Sequence, residues 1–479
     1  MRRALERFKA AGKQSYAYDV DWEEREYYLG SVANTIAVNP VGNLEVNGLS
    51  SEGLFFGNAL RKFGVGMQVI KAGRFKAGPE PYIQNRRSQE NREETKELLE
   101  DLWQDYLTTT SQARKLTPKQ LQAIADSAAF LNANEALDQK LVDRIAHSDE
   151  IISTLKEVTG ERPESRAFRQ ISLRNYARVA EARNDRGNSN NAIAVVYAEG
   201  QIVNGQGAAG TVGGDRLARQ LRELRLNDRV KAIVLRVNSI GGSGTASDII
   251  QREVALTSAK KPIVVSMGDV AASGGYYISM SADRIFAEAN TITGSIGVFG
   301  LQPNIQRLAN QNGFSWDVVK TGKFADSATI SRPKTKQELA ILQRSVNRLY
   351  DVFISKVSES RKLQKNTVAA IAQGRVWSGN QARSIGLVDE IGGLQDAIQD
   401  AAKRANLGND WQVQEFPKTR TLEEQILERL TGTLLEESAD SSDPFTEEIK
   451  AFQNDLASLR SMNDPQGIYL KLPFDLRIR

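Results

Sequence analysis

The sequence contains no cysteine and a single histidine, His147. The absence of cysteine excludes disulfides, cysteine-ligated metals and a thiol nucleophile. One histidine excludes a two-histidine metal site. The segment "LVDRIAHSDE" around His147 is typical of a solvated turn, so we do not expect a Ser-His-Asp triad. We expect neither a metal nor a cofactor.

Long apolar runs and a strong excess of one charge are also missing. No stretch reaches the roughly 18 apolar residues of a membrane span, and the start, "MRRALERFKAAGKQSYAYDV", lacks the apolar core and cleavage site of a signal peptide. The formal net charge is +4, with acidic and basic residues interspersed, which disfavours nucleic acid as a partner. The length of 479 residues indicates more than one globular domain.

The chain repeats itself. Three pairs of segments are similar, at offsets of 249, 249 and 246 residues: 27–48 with 276–297, 63–75 with 312–324, and 132–145 with 378–391. Self-similarity in a constant order predicts a tandem duplication.

In the second copy, strand-like apolar runs alternate with helix-like segments, through "NAIAVVYAEGQIV", "KAIVLRVNS" and "PIVVSMGDV". This alternation predicts βαβ units and an α/β fold. We predict a truncated first repeat at 1–180, a linker at 181–191, a complete second repeat at 192–410 and a C-terminal helical extension at 411–479. The first copy has no counterpart of residues 192–250 of the second copy, so we expect that Met1 is not the natural start of a complete first domain.

A candidate nucleophile lies in "PIVVSMGDVAASGG", where Ser273 follows an apolar strand and precedes Gly274. Gly241 and Gly242 follow another predicted strand. Glycines at strand ends can present backbone N–H groups to a developing oxyanion. Paired glycines after a strand are equally typical of an ordinary loop, so this motif alone leaves both interpretations open.

The two copies differ at the positions that matter for chemistry. At the repeat offset, Glu24 stands where the second copy has Ser273, and Ala325 stands where the first copy has Lys76. One copy keeps a serine and the other keeps a lysine. Because a serine nucleophile needs a base to take its proton, this complementary loss predicts that Lys76 activates Ser273.

The blocks "VNSIGGS", "MGDVAASGGYYI", "TGSIGVFG", "GRFKAGPEPY" and "NDPQGIY" resemble the long, duplicated form of the signal peptide peptidase A (protease IV) family. The resemblance runs through nearly the whole chain. It implies tandem domains of the ClpP/crotonase-like superfamily and a serine endopeptidase with a Ser/Lys dyad. Ser273 would be the nucleophile, Lys76 the general base and Ser295 a hydroxyl that orients the lysine.

By the same resemblance, the oxyanion donors are the backbone of Gly274 and of the Gly241/Gly242 turn. Ile240 stands where the family usually has proline. The family further implies that the substrates are cleaved signal peptides and other apolar peptides. It also implies a homo-oligomer, a tetramer in the family, and a place at the extracytoplasmic face of the cell-envelope membrane.

Two other functions remain open from the sequence. One is an acyl-CoA enzyme of the crotonase type, which would use a carboxylate such as Asp269 or Glu288 for acid/base work. The other is a degenerate protease that serves as a non-catalytic assembly scaffold. A probe for reactive serines separates the peptidase from both, because neither alternative has an activated serine.

Overall fold

A computed structural model of the chain describes residues 1–183, 189–417, 462–465, 467–472 and 477–478. Most of the predicted C-terminal helical extension and the centre of the predicted linker lie outside the described residues. The chain divides into two compact units, one of Met1–Ser50 with Leu99–Asp185 and Ile478–Arg479, the other of Ser51–Leu98 with Arg186–Arg477. The predicted domain boundaries stay predictions.

The helices are α1 (Arg2–Ala10), α2 (Glu24–Gly30), α3 (Gly57–Lys62), α4 (Glu80–Ile83), α5 (Gln89–Arg114), α6 (Pro118–Ser127), α7 (Ala133–Asp138), α8 (Ser148–Val158), α9 (Leu173–Arg183), α10 (Gly214–Leu226), α11 (Gly244–Ser258), α12 (Gly274–Ser279), α13 (Gln306–Gln311), α14 (Lys336–Arg361), α15 (Lys365–Ile371), α16 (Gly379–Ser384) and α17 (Leu394–Arg404).

The strands are β1 (Tyr16–Asp19), β2 (Thr35–Val38), β3 (Asn43–Glu45), β4 (Ser51–Glu52), β5 (Gly66–Ala72), β6 (Phe130–Asn132), β7 (Arg144–Ile145), β8 (Ala192–Glu199), β9 (Gln201–Val203), β10 (Thr211–Gly213), β11 (Val230–Ser239), β12 (Gly241–Ser243), β13 (Ile263–Ala272), β14 (Arg284–Ala287), β15 (Ile292–Gly294), β16 (Val298–Asn304), β17 (Val376–Trp377), β18 (Glu390–Ile391), β19 (Gln412–Phe416), β20 (Ile468–Lys471) and β21 (Arg477–Ile478).

The main sheet of the second unit has the order β17-β15-β13-β11-β8-β19, with β14 and β18 beside β13. Its central strands β8, β11 and β13 are parallel to one another. Alternate side chains of β8 enter two different cores: Ala194 and Val196 pack with residues of α10 and α11, whereas Ile193 and Val195 pack with residues of α17. Helices therefore cover both faces, as a buried parallel sheet requires, and the predicted α/β class is confirmed.

A second sheet in this unit has the order β10-β9-β12-β20-β16-β5. Strand β16 runs antiparallel to both of its neighbours, β20 and β5. The sheet thus joins three segments that are distant in sequence: β5 from the first copy, β12 and β16 from the second, and β20 from the end of the chain. The candidate site lies where these segments meet the main sheet.

The duplication recurs in the hydrogen bonds of the two units. The hydroxyl of Tyr27 donates to the carbonyl of Leu141 at 2.6 Å, and that of Tyr276 donates to the carbonyl of Leu387 at 3.0 Å. The same correspondence holds for the backbone N–H groups that donate to Asp143 and Asp389, and for the arginines that pair with these carboxylates, Arg114 and Arg361. The sequence offsets of 246 to 249 residues therefore match equivalent contacts.

Candidate functional site

Ser273 lies between the end of β13 and the first residue of α12. Its φ is +55°, a left-handed conformation that is uncommon for a residue with a side chain. The backbone N–H of Ser273 donates to the carbonyl of Gly294 at 2.8 Å, which holds this sharp strand-to-helix turn. A strained turn of this kind is typical of a functional side chain that a rigid scaffold must aim.

Lys76 comes from the first copy and follows β5 through a turn at Gly73, whose φ is +112°. Its Nζ lies 2.7 Å from the Oγ of Ser273 and 3.0 Å from both the carbonyl and the Oγ of Ser295. A neutral amine has two N–H groups and one lone pair. When the two N–H groups donate to Ser295, the lone pair is left for the hydroxyl proton of Ser273.

Burial makes a neutral Lys76 accessible near physiological pH. The side chain is 0% exposed, and the loss of hydration lowers its pKa to about 7, because burial disfavours the charged form. The negative charge of Glu94 acts in the opposite direction and raises the lysine pKa. Desolvation is the larger of the two effects.

Glu94 is a neighbour of the site that the sequence did not reveal. It lies on α5, is 4% exposed, and its Oε1 accepts a hydrogen bond from the backbone N–H of Val376 at 2.5 Å. Burial raises its pKa to about 8, against the hydrogen bond from Val376 and the positive charges of Lys76 and Arg375. Nothing in "QENREETKELLEDLW" distinguishes this glutamate from the others of the same helix.

Ser295 also occupies a constrained backbone position. Its φ is +49° and the preceding Gly294 has a φ of +78°. The backbone N–H of Ser295 donates to the carbonyl of Arg375 at 2.7 Å. Arg375 immediately precedes Val376, whose backbone N–H donates to Glu94. The turn therefore presents both the carbonyl and the hydroxyl of Ser295 to the lysine.

Two of the predicted oxyanion glycines, Gly241 and Gly274, lie in contact with each other. A Cβ atom built on Gly241 would lie 2.6 Å from the backbone nitrogen of Gly274 and 2.0 Å from the carbonyl oxygen of Leu470. Gly241 has a φ of +92°, and its N–H donates to the Oγ of Ser239 at 3.1 Å. These positions require glycine, since any side chain would collide with backbone atoms.

The chain's own strand β20 fills the space beside these glycines. It lies between β12 and β16, with Leu470 opposite Gly242 and Tyr469 opposite Phe299. Asp464, four residues before β20, anchors this part of the chain. Its Oδ2 accepts from the Oγ of Ser243 at 2.5 Å and from the N–H of Thr245 at 3.1 Å. Ser273 and Lys76 are both 0% exposed, so the site is closed in this structure.

The structure thus brings Lys76 within hydrogen-bond distance of both Ser273 and Ser295, and it places Gly241 against Gly274, the residue after Ser273. The carboxylates considered for an acyl-CoA enzyme are placed differently: Asp269 is exposed and Glu288 is half-buried. The carboxylate that interacts electrostatically with Lys76 is Glu94.

The sequence profile of peptidase family S49 matches this chain twice, at residues 7–161 and 255–408. Protease 4 of Salmonella typhi is 36% identical over 98% of this chain and 76% of its own length. Protease 4 of Haemophilus influenzae is 35% identical over 98% of this chain and 78% of its own length. A chloroplastic serine protease SPPA of Arabidopsis thaliana is 31% identical over 85% of this chain and 61% of its own length.

Among solved structures, a ClpP1 mutant from Listeria monocytogenes matches 43% of this chain and 94% of its own, at 18% identity and a TM-score of 0.30. The two separate profile matches begin 248 residues apart, at 7 and 255, and confirm the predicted duplication.

Proposed function

This chain belongs to peptidase family S49 and is a serine peptidase, and from that premise we propose that Ser273 and Lys76 are its catalytic dyad. The proposal rests chiefly on the 2.7 Å separation of Lys76 Nζ and Ser273 Oγ in a fully buried setting. Family membership disfavours an acyl-CoA enzyme. The retained serine and lysine disfavour a scaffold without activity.

The reaction follows from these positions. Ser273 Oγ attacks the carbonyl carbon of the scissile peptide bond while its proton passes to Lys76 Nζ. We assign the N–H of Gly274 and the Gly241/Gly242 turn as the donors that stabilise the charge of the oxyanion that forms. Lys76 then returns the proton to the leaving amine, and an ester on Ser273 remains. Water, deprotonated by Lys76, cleaves that ester and restores the serine.

We propose apolar, extended peptides, released signal peptides among them, as the substrates. Strand β20 supports this assignment, since it fills the position beside the glycines with the buried residues Ile468 and Leu470. A peptide of similar composition could pair with β12 and β16 in the same antiparallel manner. Such a substrate must first displace β20.

Labelling with a fluorophosphonate, followed by peptide mapping, tests the assignment of the nucleophile. We expect one labelled residue, Ser273, together with cleavage of synthetic signal peptides within their apolar segments. Labelling at another serine, with Ser273 unmodified, would overturn the assignment. A protein that is labelled but cleaves only polar peptides would contradict the substrate class alone.

A place at the extracytoplasmic face of the cell-envelope membrane is a proposal that rests on the family resemblance. Within the described ranges, no helix is long and apolar enough to cross a bilayer. Fractionation of cells that express the gene from its own locus tests this location. Recovery of the peptidase activity in the cytosolic fraction would contradict it.

Ser295→Ala should reduce turnover without abolishing it. The variant removes the hydroxyl that accepts from Lys76 at 3.0 Å but keeps the backbone carbonyl at the same distance. One lost hydrogen bond of about 1 kcal/mol corresponds to a roughly fivefold loss in kcat/KM. Steady-state hydrolysis of a fluorogenic peptide measures it. A rate equal to wild type across the pH range would show that the hydroxyl has no orienting role.

Activity should rise with pH as Lys76 loses its proton, with a midpoint near its pKa of about 7. Glu94→Gln should leave the activity at pH 6 unchanged, because the pKa of Glu94 is about 8 and its carboxyl group is protonated there. Above pH 7 the variant should exceed wild type, because it lacks the negative charge that raises the lysine pKa and keeps an acceptor for the N–H of Val376. Glu93→Gln, at the exposed neighbouring position, is the matched control. A profile unchanged by Glu94→Gln would rule out this electrostatic effect.

His147→Gln should leave kcat/KM within about twofold of wild type, since a surface substitution away from such a site is usually nearly neutral. His147 is exposed, and its backbone N–H donates to Glu150 at the start of α8. A large loss of turnover with folding preserved would instead favour a histidine-dependent mechanism.

A further inference from the structure

Strand β20 directs its side chains alternately to the two faces of its sheet. Ile468 and Leu470 belong to the large core cluster that also contains residues of β8, β11 and β13. Tyr469, between them, belongs to a separate cluster with Tyr82 and Phe299. Because adjacent residues of a strand point to opposite faces, a peptide bound in place of β20 would present successive side chains to two different surfaces.

The carbonyl of Leu470 indicates where the cleaved bond of such a peptide would lie. Its oxygen lies 2.0 Å from a Cβ atom built on Gly241 and 3.0 Å from one built on Gly274. Both glycines belong to the proposed oxyanion donors. The residue that takes the place of Leu470 would therefore carry the attacked carbonyl, and the residue in the place of Tyr469 would immediately precede it.

The surface that receives Tyr469 is aromatic. Phe299 is directly opposite Tyr469 in the pairing of β16 with β20, and their ring centroids lie 5.9 Å apart. Phe56 packs against the same cluster and forms an edge-to-face pair with Tyr82, with ring centroids 5.0 Å apart. Tyr469 itself is 5% exposed. Aromatic side chains gain from such enclosure through buried area and through ring-to-ring contacts.

The first copy contributes both the proposed base and a wall of this aromatic surface. Gly78 lies two residues after Lys76, and a Cβ atom built on it would lie 2.7 Å from Cε1 of Phe299. Tyr82 follows on α4 and is 7% exposed. One short segment of the first copy therefore carries the base and packs against the ring that is opposite Tyr469.

We propose that Phe56, Tyr82 and Phe299 form an aromatic pocket that selects an aromatic side chain immediately before the residue whose carbonyl is cleaved. The assignment depends on the proposed function, because it takes β20 as the guide to the position of a substrate. Displacement of β20 removes Tyr469 from these rings. An aromatic residue of the substrate covers them again, whereas alanine leaves apolar surface in contact with water. The pocket thus distinguishes among apolar peptides by the order of their residues.

Two internally quenched peptides that differ in one residue test the pocket in the unmodified protein. One has Phe and the other Ala before a common Leu, in the order of the Tyr-Leu sequence of β20. We expect kcat/KM to be on the order of tenfold higher for the Phe peptide, a ratio that corresponds to partial burial of a phenyl side chain. Mass spectrometry of the products should locate the cleaved bond directly after the Leu.

Tyr82→Ala should lower the Phe-to-Ala ratio several-fold. Leu349→Ala is the matched control on the other face, since a Cβ atom built on Gly244 would lie 2.8 Å from Cδ2 of Leu349 and 3.9 Å from Cγ of Leu470. It should leave the Phe-to-Ala ratio unchanged and alter the preference for Leu at the cleaved position. Because each ratio compares two peptides with the same protein, a partial loss of folded protein cancels.

Equal kcat/KM for the two peptides in the unmodified protein would overturn the pocket, and so would an equal reduction of the ratio by Tyr82→Ala and Leu349→Ala. Cleavage at a bond other than the one after the Leu would overturn the register that β20 indicates. Ser273→Ala separates these outcomes from the proposed function. Cleavage that persists in Ser273→Ala would overturn the proposed function and the pocket with it, whereas Ser273-dependent cleavage at equal rates would overturn the pocket alone.

Discussion

Lys76→Arg and Lys76→Ala will each lose peptide hydrolysis, by on the order of 10³-fold or more, as removal of a member of a catalytic unit does in other serine hydrolases. Arginine keeps the positive charge and much of the length of lysine. Its guanidinium stays protonated at any usable pH and cannot accept the proton of Ser273. The loss in the arginine variant therefore reports on proton transfer and not only on the shape of the site.

Fluorophosphonate labelling and kcat/KM for a fluorogenic peptide are the two measurements, with Ser273→Ala as the variant that should lose both signals. Lys71→Arg is the matched control, since Lys71 lies exposed on β5, five residues before the catalytic position. It should behave as wild type. Substantial turnover in Lys76→Arg, with normal thermal stability, would remove lysine from the role of general base.

The class of fold could be predicted from the sequence. Continuous apolar strands such as β11 and β13 are typical of a buried parallel sheet, and the structure has them there. The comparison of the two copies pairs Lys76 with Ser273, 197 residues apart in sequence, and their Nζ and Oγ atoms lie 2.7 Å apart in the structure. Their catalytic roles remain a proposal.

Other parts of the site depend on tertiary contacts that leave no local pattern. Glu94 acquires its raised pKa because α5 buries it against the backbone of Val376, 282 residues away in sequence. Strand β20 is only four residues long, and "IYLK" has no turn signal or alternation that would assign it a place between β12 and β16. The position of such a short strand is determined by the neighbouring strands with which it pairs.

A disulfide that holds β20 in place will abolish activity reversibly. Phe299 and Tyr469 are opposite each other in the pairing of β16 with β20, and their ring centroids are 5.9 Å apart. The double variant Phe299→Cys/Tyr469→Cys should lose fluorophosphonate labelling and peptide hydrolysis when oxidised and regain both on reduction. The reason is that Ser273 is 0% exposed while β20 is in place, and Leu470 lies beside the glycines that a substrate carbonyl must reach.

The matched control places a disulfide across the other edge of the same strand. Leu301→Cys/Val69→Cys links β16 to β5 at two residues that are opposite each other in the pairing, and it leaves β20 free to separate from the sheet. Its activity should be the same in the oxidised and reduced states. Because each protein is compared with itself, any loss of stability from the substitutions cancels. Full activity of the oxidised Phe299→Cys/Tyr469→Cys protein would mean that peptides reach Ser273 while β20 is in place, and that substrates do not displace this strand.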